Sequence, residues 1–373
     1  MNILLVGTGG FAAGYIKELL ANQDASIRWA GAVDPYISEE NKALLAEHNI
    51  PVFATMEEYY ANYTADLTVI CTPTYLHKEQ CIYALSQGSH VLCEKPLAPT
   101  EEEGLEMLAA EEKYGKFIAI GFQWAYAKAM LQLKQDIMDG VLGKPLSLKT
   151  VICWPRNLAY FGRSTGWAGK ITRNGRLVLD SIAANACAHY LHNMLFLLGS
   201  AMDESAEVAK LEGSCFRANA IENFDTCTLK METREGVKLY FGAAHPVEAF
   251  RNPVFAYTFE KATVNYATAK DAHIVATFAD GTQKDYGDPY GSTDFRKLWD
   301  CVAAIRTGTK PTCTVKTALT HAMCIERIYR EIPIVQIPQE KIVLNEEKMR
   351  LEVPGLFDKM WEAYQEEKIL TDV

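Results

Sequence analysis

The chain has no C-x-x-C pair and no histidine–cysteine grouping at metal-ligand spacing, although it carries ten cysteines. Several of them (Cys71, Cys93, Cys153, Cys187) lie inside apolar runs, where a free thiol behaves as a small hydrophobe. This argues against a disulfide framework or a bound metal, and for a reducing, cytoplasmic setting. No uninterrupted apolar run is long enough to cross a bilayer. The first apolar stretch has no basic residues before it, so no secretory leader is expected. Positive charge is also short: 37 Lys and Arg stand against 47 Asp and Glu, a net charge of −10. That balance disfavours nucleic acid and anionic membranes as partners, while leaving room for a local basic pocket. Internal repeats and low-complexity tracts are missing as well.

What is present begins at the first residue. With 373 residues, 49% of them hydrophobic, the chain is long enough for two domains with sizeable cores. The apolar run Ile3–Val6 leads into Gly7-Thr8-Gly9-Gly10-Phe11-Ala12 and then a helix-like segment, Ala12–Leu20. Strand, glycine turn and helix in this order open a dinucleotide-binding domain. Gly7 permits the tight turn, Gly9 lets backbone approach a pyrophosphate, and Ala12 is small enough for close helix–strand packing. The helix N-terminus offers N–H groups and a positive dipole end to phosphates. A second strand-like run, Ile27–Val33, ends in Asp34. A carboxylate there can accept hydrogen bonds from ribose hydroxyls and repels a 2′-phosphate. No Arg or Lys follows before Lys42, so NAD is expected rather than NADP.

Strand and helix patterns alternate as far as residue 122, which suggests a parallel sheet covered on both faces. Expected elements include a helix over Glu39–His48, strands at Leu67–Cys71, His90–Cys93 and Phe117–Gly121, and a helix opened by the capping box Thr100–Glu103. Ligands of such sheets sit beyond the carboxyl ends of the strands. Three motifs fall there: Gly7–Ala12, Thr72–His77 and Glu94–Pro96.

The sequences CTPTYLHKE (Cys71–Glu79) and CEKPLA (Cys93–Ala98), behind an N-terminal GTGGFA, resemble the glucose–fructose oxidoreductase/inositol dehydrogenase (Gfo/Idh/MocA) family. The resemblance is strong over residues 1–122 and looser beyond. It implies an α/β protein: an N-terminal Rossmann domain (1–122) and a C-terminal substrate-binding and oligomerisation domain (123–373) with a large, mostly antiparallel sheet. It further implies oxidation of a secondary hydroxyl of a sugar or polyol with NAD(P). Lys95 would stand at the reacting centre, framed by Glu94 and Pro96, with a cis Lys95–Pro96 bond. Thr8, Gly10, Phe11, Thr72, Pro73, Thr74, His77 and Glu94 would join Gly7, Gly9 and Asp34 in holding the cofactor. His77 also admits a plainer place, as an exposed residue of a helix's first turn.

From Pro145 the pattern turns strand-rich, with candidate strands from Leu146–Cys153 through Gln283–Tyr286. Turn pairs such as Glu235-Gly236 and Asp280-Gly281 suit antiparallel hairpins. Helices near Thr293–Arg306 and Val315–Arg330 are expected to pack behind this sheet, followed by a helix over Val353–Glu366. A helix over Asp180–Gly199 would bring Asn185, His189 and Asn193 to one face, with His192 beside them. Relatives usually show D-x-x-x-H-x-x-D here. Aligned from Leu198-Gly199, the histidine is kept as His189, while Asn185 and His192 replace the carboxylates. His189 is the expected proton acceptor, because its ordinary pKa lies near neutrality. Asn185 would orient the substrate.

Between Thr150 and Leu179 there is no acidic residue, while Arg156, Arg163, Lys170, Arg173 and Arg176 are interleaved with Trp154, Tyr160, Phe161 and Trp167. Aromatic faces stack on sugar C–H surfaces, and Arg forks bind carboxylate or phosphate. Trp154, Arg156, Tyr160, Arg163 and Trp167, with His192, are thus expected to hold a sugar-like substrate that carries an acidic group. A subunit contact is the other reading of this stretch. One face of the second sheet is expected to be free of helices and to pair with another subunit in a homodimer or homotetramer. Two alternatives to a dehydrogenase stay open: a redox-neutral sugar enzyme with tightly held NAD, and a non-catalytic NAD-binding sensor.

Overall fold

The computed structural model describes the chain except for residues 163–165, 270–271 and 291–294. It divides into two compact units, Met1–Tyr126 with Thr293–Leu319, and Ala127–Ser292 with Thr320–Val373. The boundary expected after residue 122 thus falls after Tyr126, and the first unit takes back a distant segment.

The first unit alternates β1 (Asn2–Val6), α1 (Ala12–Ala21), β2 (Arg28–Val33), α2 (Glu39–Glu47), β3 (Val52–Phe53), α3 (Met56–Tyr60), β4 (Leu67–Ile70), α4 (His77–Ser86), β5 (His90–Cys93), α5 (Glu101–Tyr114) and β6 (Ile118–Ile120). The strands form one parallel sheet in the order β3-β2-β1-β4-β5-β6. Residues Ile3–Val6 and Leu67–Ile70 are buried throughout, as strands covered on both faces require. The strand order reverses between β1 and β4, and the crevice at their carboxyl ends is where such sheets take a ligand. Thr100 caps α5 by accepting from the Glu103 N–H at 3.2 Å, as the capping box predicts.

The second unit starts with α6 (Lys128–Met138), β7 (Pro145–Cys153), α7 (Leu158–Phe161), β8 (Thr172–Arg173), β9 (Arg176–Leu177) and α8 (Ala188–Leu197). A run of strands follows: β10 (Val208–Arg217), β11 (Thr226–Thr233), β12 (Lys238–Ala244), β13 (Arg251–Phe259), β14 (Ala262–Ala267), β15 (Ile274–Phe278) and β16 (Gln283–Gly287). After α9 (Arg296–Thr307) and α10 (Val315–Glu331) come β17 (Ile334–Gln336), β18 (Val343–Asn345), β19 (Arg350–Glu352) and α11 (Leu356–Glu366). Nine strands make the large sheet, in the order β16-β15-β14-β13-β7-β12-β11-β10-β17. It is antiparallel except where β7 meets β12 and β10 meets β17.

Helix α8 lies on one face of this sheet, where Asn193 donates to the Tyr257 hydroxyl at 3.3 Å. The opposite face is not bare, contrary to the expectation from sequence. Leu356, Met360 and Ala363 of α11 pack there on Val151, Tyr240 and Ala244. The Arg251 guanidinium lies 4.3 Å from the Phe357 ring and 4.2 Å from the Trp361 ring. A helix with a continuous apolar stripe must bury it somewhere, and its own sheet is nearest.

Helix α9 also departs from expectation, since it joins the first unit rather than the second. Leu298, Cys301, Val302 and Ala304 share a core with Ile3, Leu5, Tyr15 and Leu19. Phe295, just ahead of α9, fills the space over Gly14, where a Cβ would stand 2.0 Å from the Phe295 ring.

The first unit also buries the carboxyl of Glu111. Glu111 of α5 is 5% exposed and accepts from the Ile118 N–H at 2.6 Å. Burial pushes its pKa up to about 7. A carboxyl whose folded pKa is raised stabilises the fold below its ordinary range, and loses that contribution as pH rises toward 7. Glu111→Gln keeps an acceptor for Ile118 and removes the ionisation. Urea unfolding at pH 8 should find the variant more stable than the parent by roughly 1–3 kcal/mol, with the gap closing at pH 5. An equal gap at both pH values would remove burial of this carboxyl as its cause.

Candidate functional site

In the first unit, three loops meet at the carboxyl ends of β1, β4 and β5. Gly7 holds a positive φ of 85°, and a Cβ there would lie 2.7 Å from the Cys71 carbonyl oxygen. Only glycine fits such a turn. Gly10 is also at positive φ, 59°, and Gly9, Gly10 and Phe11 are exposed beside it. No side chain caps α1, and the N–H groups of Ala12, Ala13 and Gly14 in its first turn donate to the carbonyls of Gly9, Gly10 and Phe11, so what the helix offers an anion is the positive end of its dipole. Thr8 is buried and ties the turn to β2: its N–H and hydroxyl donate to Asp34 Oδ2 at 2.9 and 2.7 Å. The other carboxylate oxygen of Asp34 accepts from the Tyr36 N–H at 2.9 Å. The sequence offers Asp34 either to the ribose or as the cap of a turn before Pro35; the structure shows the turn contact to Tyr36 and makes Asp34 the clasp of the glycine turn as well.

The second loop, Thr72-Pro73-Thr74, follows β4, with Thr72 and Pro73 half-buried and Thr74 buried. His77 is neither exposed nor turned to the surface. It is 1% exposed, with Nδ1 2.9 Å from the Pro96 carbonyl and Nε2 2.9 Å from the Thr72 carbonyl. Burial pushes its pKa down, against the carbonyls that favour the charged form. His77 thus braces the second loop against the third.

The third loop is Glu94-Lys95-Pro96, with a cis Lys95–Pro96 bond as the resemblance implies. Lys95 is half-buried at the end of β5. The Glu94 carboxylate points inward, where it accepts from the Tyr15 hydroxyl at 2.6 Å and pairs with Lys297 at 2.5 Å. Burial and this carboxylate push the Tyr15 phenol well above its ordinary range, so it stays a donor. Neither Tyr15 nor Lys297 is legible as a site residue in the sequence. The segment RKLWD reads as a solvated first turn of helix.

In the second unit, the expected helix from Asp180 starts only at Ala188. The segment before it folds into turns through side-chain bonds that compete with helix. Asp180 Oδ2 accepts from the Gly169 N–H at 2.5 Å, and its Oδ1 accepts from Asn185 Nδ2 at 2.9 Å. Ser181 Oγ accepts from the Ala184 N–H at 3.1 Å. Asn185 and His189 thus do not share one helical face as the spacing predicts, although both are half-buried. His192 lies in the core at 1% exposure, stacked on Phe196 at 5.9 Å and near His321 at 6.4 Å. The sequence expects a substrate contact of it; the structure places its ring among those of Phe196 and His321.

His189 is followed by a continuous polar and aromatic surface. Its ring is 6.4 Å from that of Tyr190, which meets Trp154 edge-on at 5.6 Å. The Tyr190 hydroxyl is 2.8 Å from that of Tyr290. The Arg156 guanidinium lies 5.6 Å from the Trp154 ring and 4.9 Å from the Tyr160 ring. Its Nε is buried with no hydrogen-bond partner among the described residues. Trp167 is half-buried, and Arg163 lies outside the described residues. Among the described residues, no group of three His, Cys, Asp or Glu side chains is placed to hold a metal, and no helix is long and apolar enough to cross a membrane.

A parallel sheet in this order, with a glycine turn at its switch point and an acidic residue ending β2, defines a dinucleotide-binding domain. Residues 1–122 match the family model described as the Gfo/Idh/MocA oxidoreductase family, NAD-binding Rossmann fold. The chain is 30% identical over 142 residues to 2,7-anhydro-N-acetylneuraminate hydratase of Mediterraneibacter gnavus, covering 38% of this chain and 37% of that protein. It is 39% identical over 79 residues to D-glucoside 3-dehydrogenase of Escherichia coli, covering 21% and 22%. These matches span well under two thirds of either relative. The fold of the whole chain is similar to that of the WlbA dehydrogenase from Bordetella pertussis, solved with NADH and UDP-GlcNAcA. The TM-score is 0.70 at 21% identity, over 88% of this chain and 95% of that one.

The side-chain clasp before α8 can be tested directly. Asp180→Ala strands a buried Gly169 N–H and releases Asn185, so urea unfolding should show a loss of about 1–3 kcal/mol. Asp180→Asn, which keeps one acceptor, should lose less. Equal losses in the two variants would mean that the hydrogen bonds are not what orders this segment.

Proposed function

We propose that the chain is an NAD-dependent oxidoreductase acting on a secondary hydroxyl of a sugar, sugar acid or polyol. The observation that carries this reading is the convergence of the glycine turn, the Thr72–His77 loop and Glu94-Lys95-Pro96 at one edge of the parallel sheet. The turn geometry, the N-terminus of α1 with no side-chain cap, and Asp34 suit a dinucleotide with a free ribose 2′-hydroxyl. NAD, when bound, supplies an acceptor for two electrons and a proton's worth of hydrogen from a carbinol carbon.

The chain's own residues do the rest. His189 takes the hydroxyl proton as general base. Lys95, cationic, holds the substrate oxygen and stabilises the negative charge that develops there. Asn185, fixed by Asp180, orients a hydroxyl. Trp154, Tyr160 and Trp167 offer faces for sugar C–H groups, and Arg156 offers a charge for a carboxylate or phosphate. A homo-oligomer in the cytoplasm remains part of this proposal.

A second reading keeps the cofactor and returns its electrons within each turnover, giving net hydration, cleavage or epimerisation of a sugar. The likeness to a protein named as a hydratase favours it. The test is NADH formation from NAD with pooled sugars, sugar acids and polyols. A signal that falls about a hundredfold or more in Lys95→Ala supports the dehydrogenase. Sugar turnover seen by mass without NADH supports the redox-neutral enzyme. On the substrate so found, Arg156→Ala should raise KM about tenfold or more if the substrate is anionic. An unchanged KM would reject an acidic group at this position.

A further inference from the structure

Lysine is almost never fully buried without a partner, yet the Lys297 side chain has no exposed surface. Its ammonium is 2.5 Å from Glu94 Oε1, donates to the Gly121 carbonyl at 3.2 Å and lies 4.7 Å from the centre of the Phe11 ring. One cation of α9 thus touches the end of β5, the end of β6 and the glycine turn. We propose that Lys297 is the dedicated counter-ion of Glu94 and, through it, a positioning residue for Lys95 and the cofactor turn. This rests on the roles given above to Lys95 and to that turn.

Glu94 and Lys95 follow β5 directly, Glu94 buried and Lys95 half-buried. Glu94 goes inward, and its carboxylate fills the niche left by Gly121, where a Cβ would be 2.7 Å from Oε2. A buried carboxylate needs a partner. Tyr15, Cys71, Cys93 and Tyr126, all near this carboxylate, are pushed up by burial and stay protonated. His77 is pushed down and stays neutral. Among the groups facing Glu94, that leaves two cations, Lys297 and Lys95 itself. With Lys297 in place, the carboxylate is satisfied. Without it, Glu94 draws Lys95 inward or takes up a proton. Phe11 loses the cation under its ring at the same time, and the turn loses its support from α9.

The test compares the full-length parent, Lys297→Met, and the double variant Lys297→Met with Glu94→Gln. The first readouts need no turnover: thermal unfolding without cofactor from pH 5.5 to 8, and NADH binding by fluorescence at both ends of that range. In Lys297→Met the unpaired carboxylate should make melting fall as pH rises, and NADH binding at pH 8 should weaken about tenfold or more. The double variant, with no charge to satisfy, should lose the added pH dependence and bind NADH to within about threefold of the parent. It also serves if the single variant fails to fold. NADH binding by Lys297→Met equal to the parent at both pH values, with a parallel melting profile, would overturn the proposal. A parent that fails to bind NADH would overturn the cofactor reading instead, while the melting profiles would still decide the ion pair.

Discussion

No side chain fits at Gly7. The Cys71 carbonyl oxygen occupies the place of its Cβ, and the residue's φ of 85° is one that other residues avoid. This contact sets how closely the end of β1 approaches the end of β4. The rest of the edge is arranged around it. Thr8 is delivered to Asp34, α1 begins with no side-chain cap, and the loop after β4 comes within reach of His77. His77 in turn grips the Pro96 carbonyl and fixes the loop that bears Lys95. A local constraint on one backbone position is passed along hydrogen bonds to the residue assigned the chemistry.

The first unit was legible wherever its signals are local. A continuous apolar run, a glycine turn and a capping box each act within a few residues, so Ile3–Val6, Gly7–Ala12 and Thr100–Glu103 could be read directly. The mostly antiparallel second sheet was equally plain from its strands and hairpin pairs. What stayed hidden depends on partners far away in the chain. Lys297 looks like a solvated charge until Glu94 is seen beside it. Phe295 and Leu298 look like the apolar face of any amphipathic helix, and nothing nearby says that the face belongs to α1 and β1. His77 and His192 are polar letters in positions that the fold buries.

The segment from Asp180 to Cys187 was misread for a different reason. Its alanines favour helix, and the four-residue spacing of Asn185 and His189 suggested a shared face. Yet the carboxylate of Asp180 binds the Gly169 N–H and the Asn185 amide, and the chain is held in turns until Ala188. Side-chain hydrogen bonds outweigh propensity when they also satisfy a buried backbone donor. What results is a fixed Asn185 ahead of α8, with His189 at the helix's beginning. The surface that continues through Tyr190, Trp154 and Arg156 belongs to the second unit alone.

The return of α9 to the first unit has a bearing on how the molecule is made. Trp299 donates to Glu18 at 3.0 Å, and Arg306 reaches Asp24 at 2.8 Å, so α9 seals the outer flank of α1. A ribosome has released the glycine turn and all six parallel strands long before it makes this helix. Until then Leu19, Ile16 and the Glu94 carboxylate lack the partners that α9 supplies. The nascent nucleotide fold therefore waits, with an apolar flank exposed, through the synthesis of nearly the whole second sheet. A fragment cut at the end of the parallel sheet would stay in that unfinished state, and domain swapping between chains would have a ready-made donor in α9.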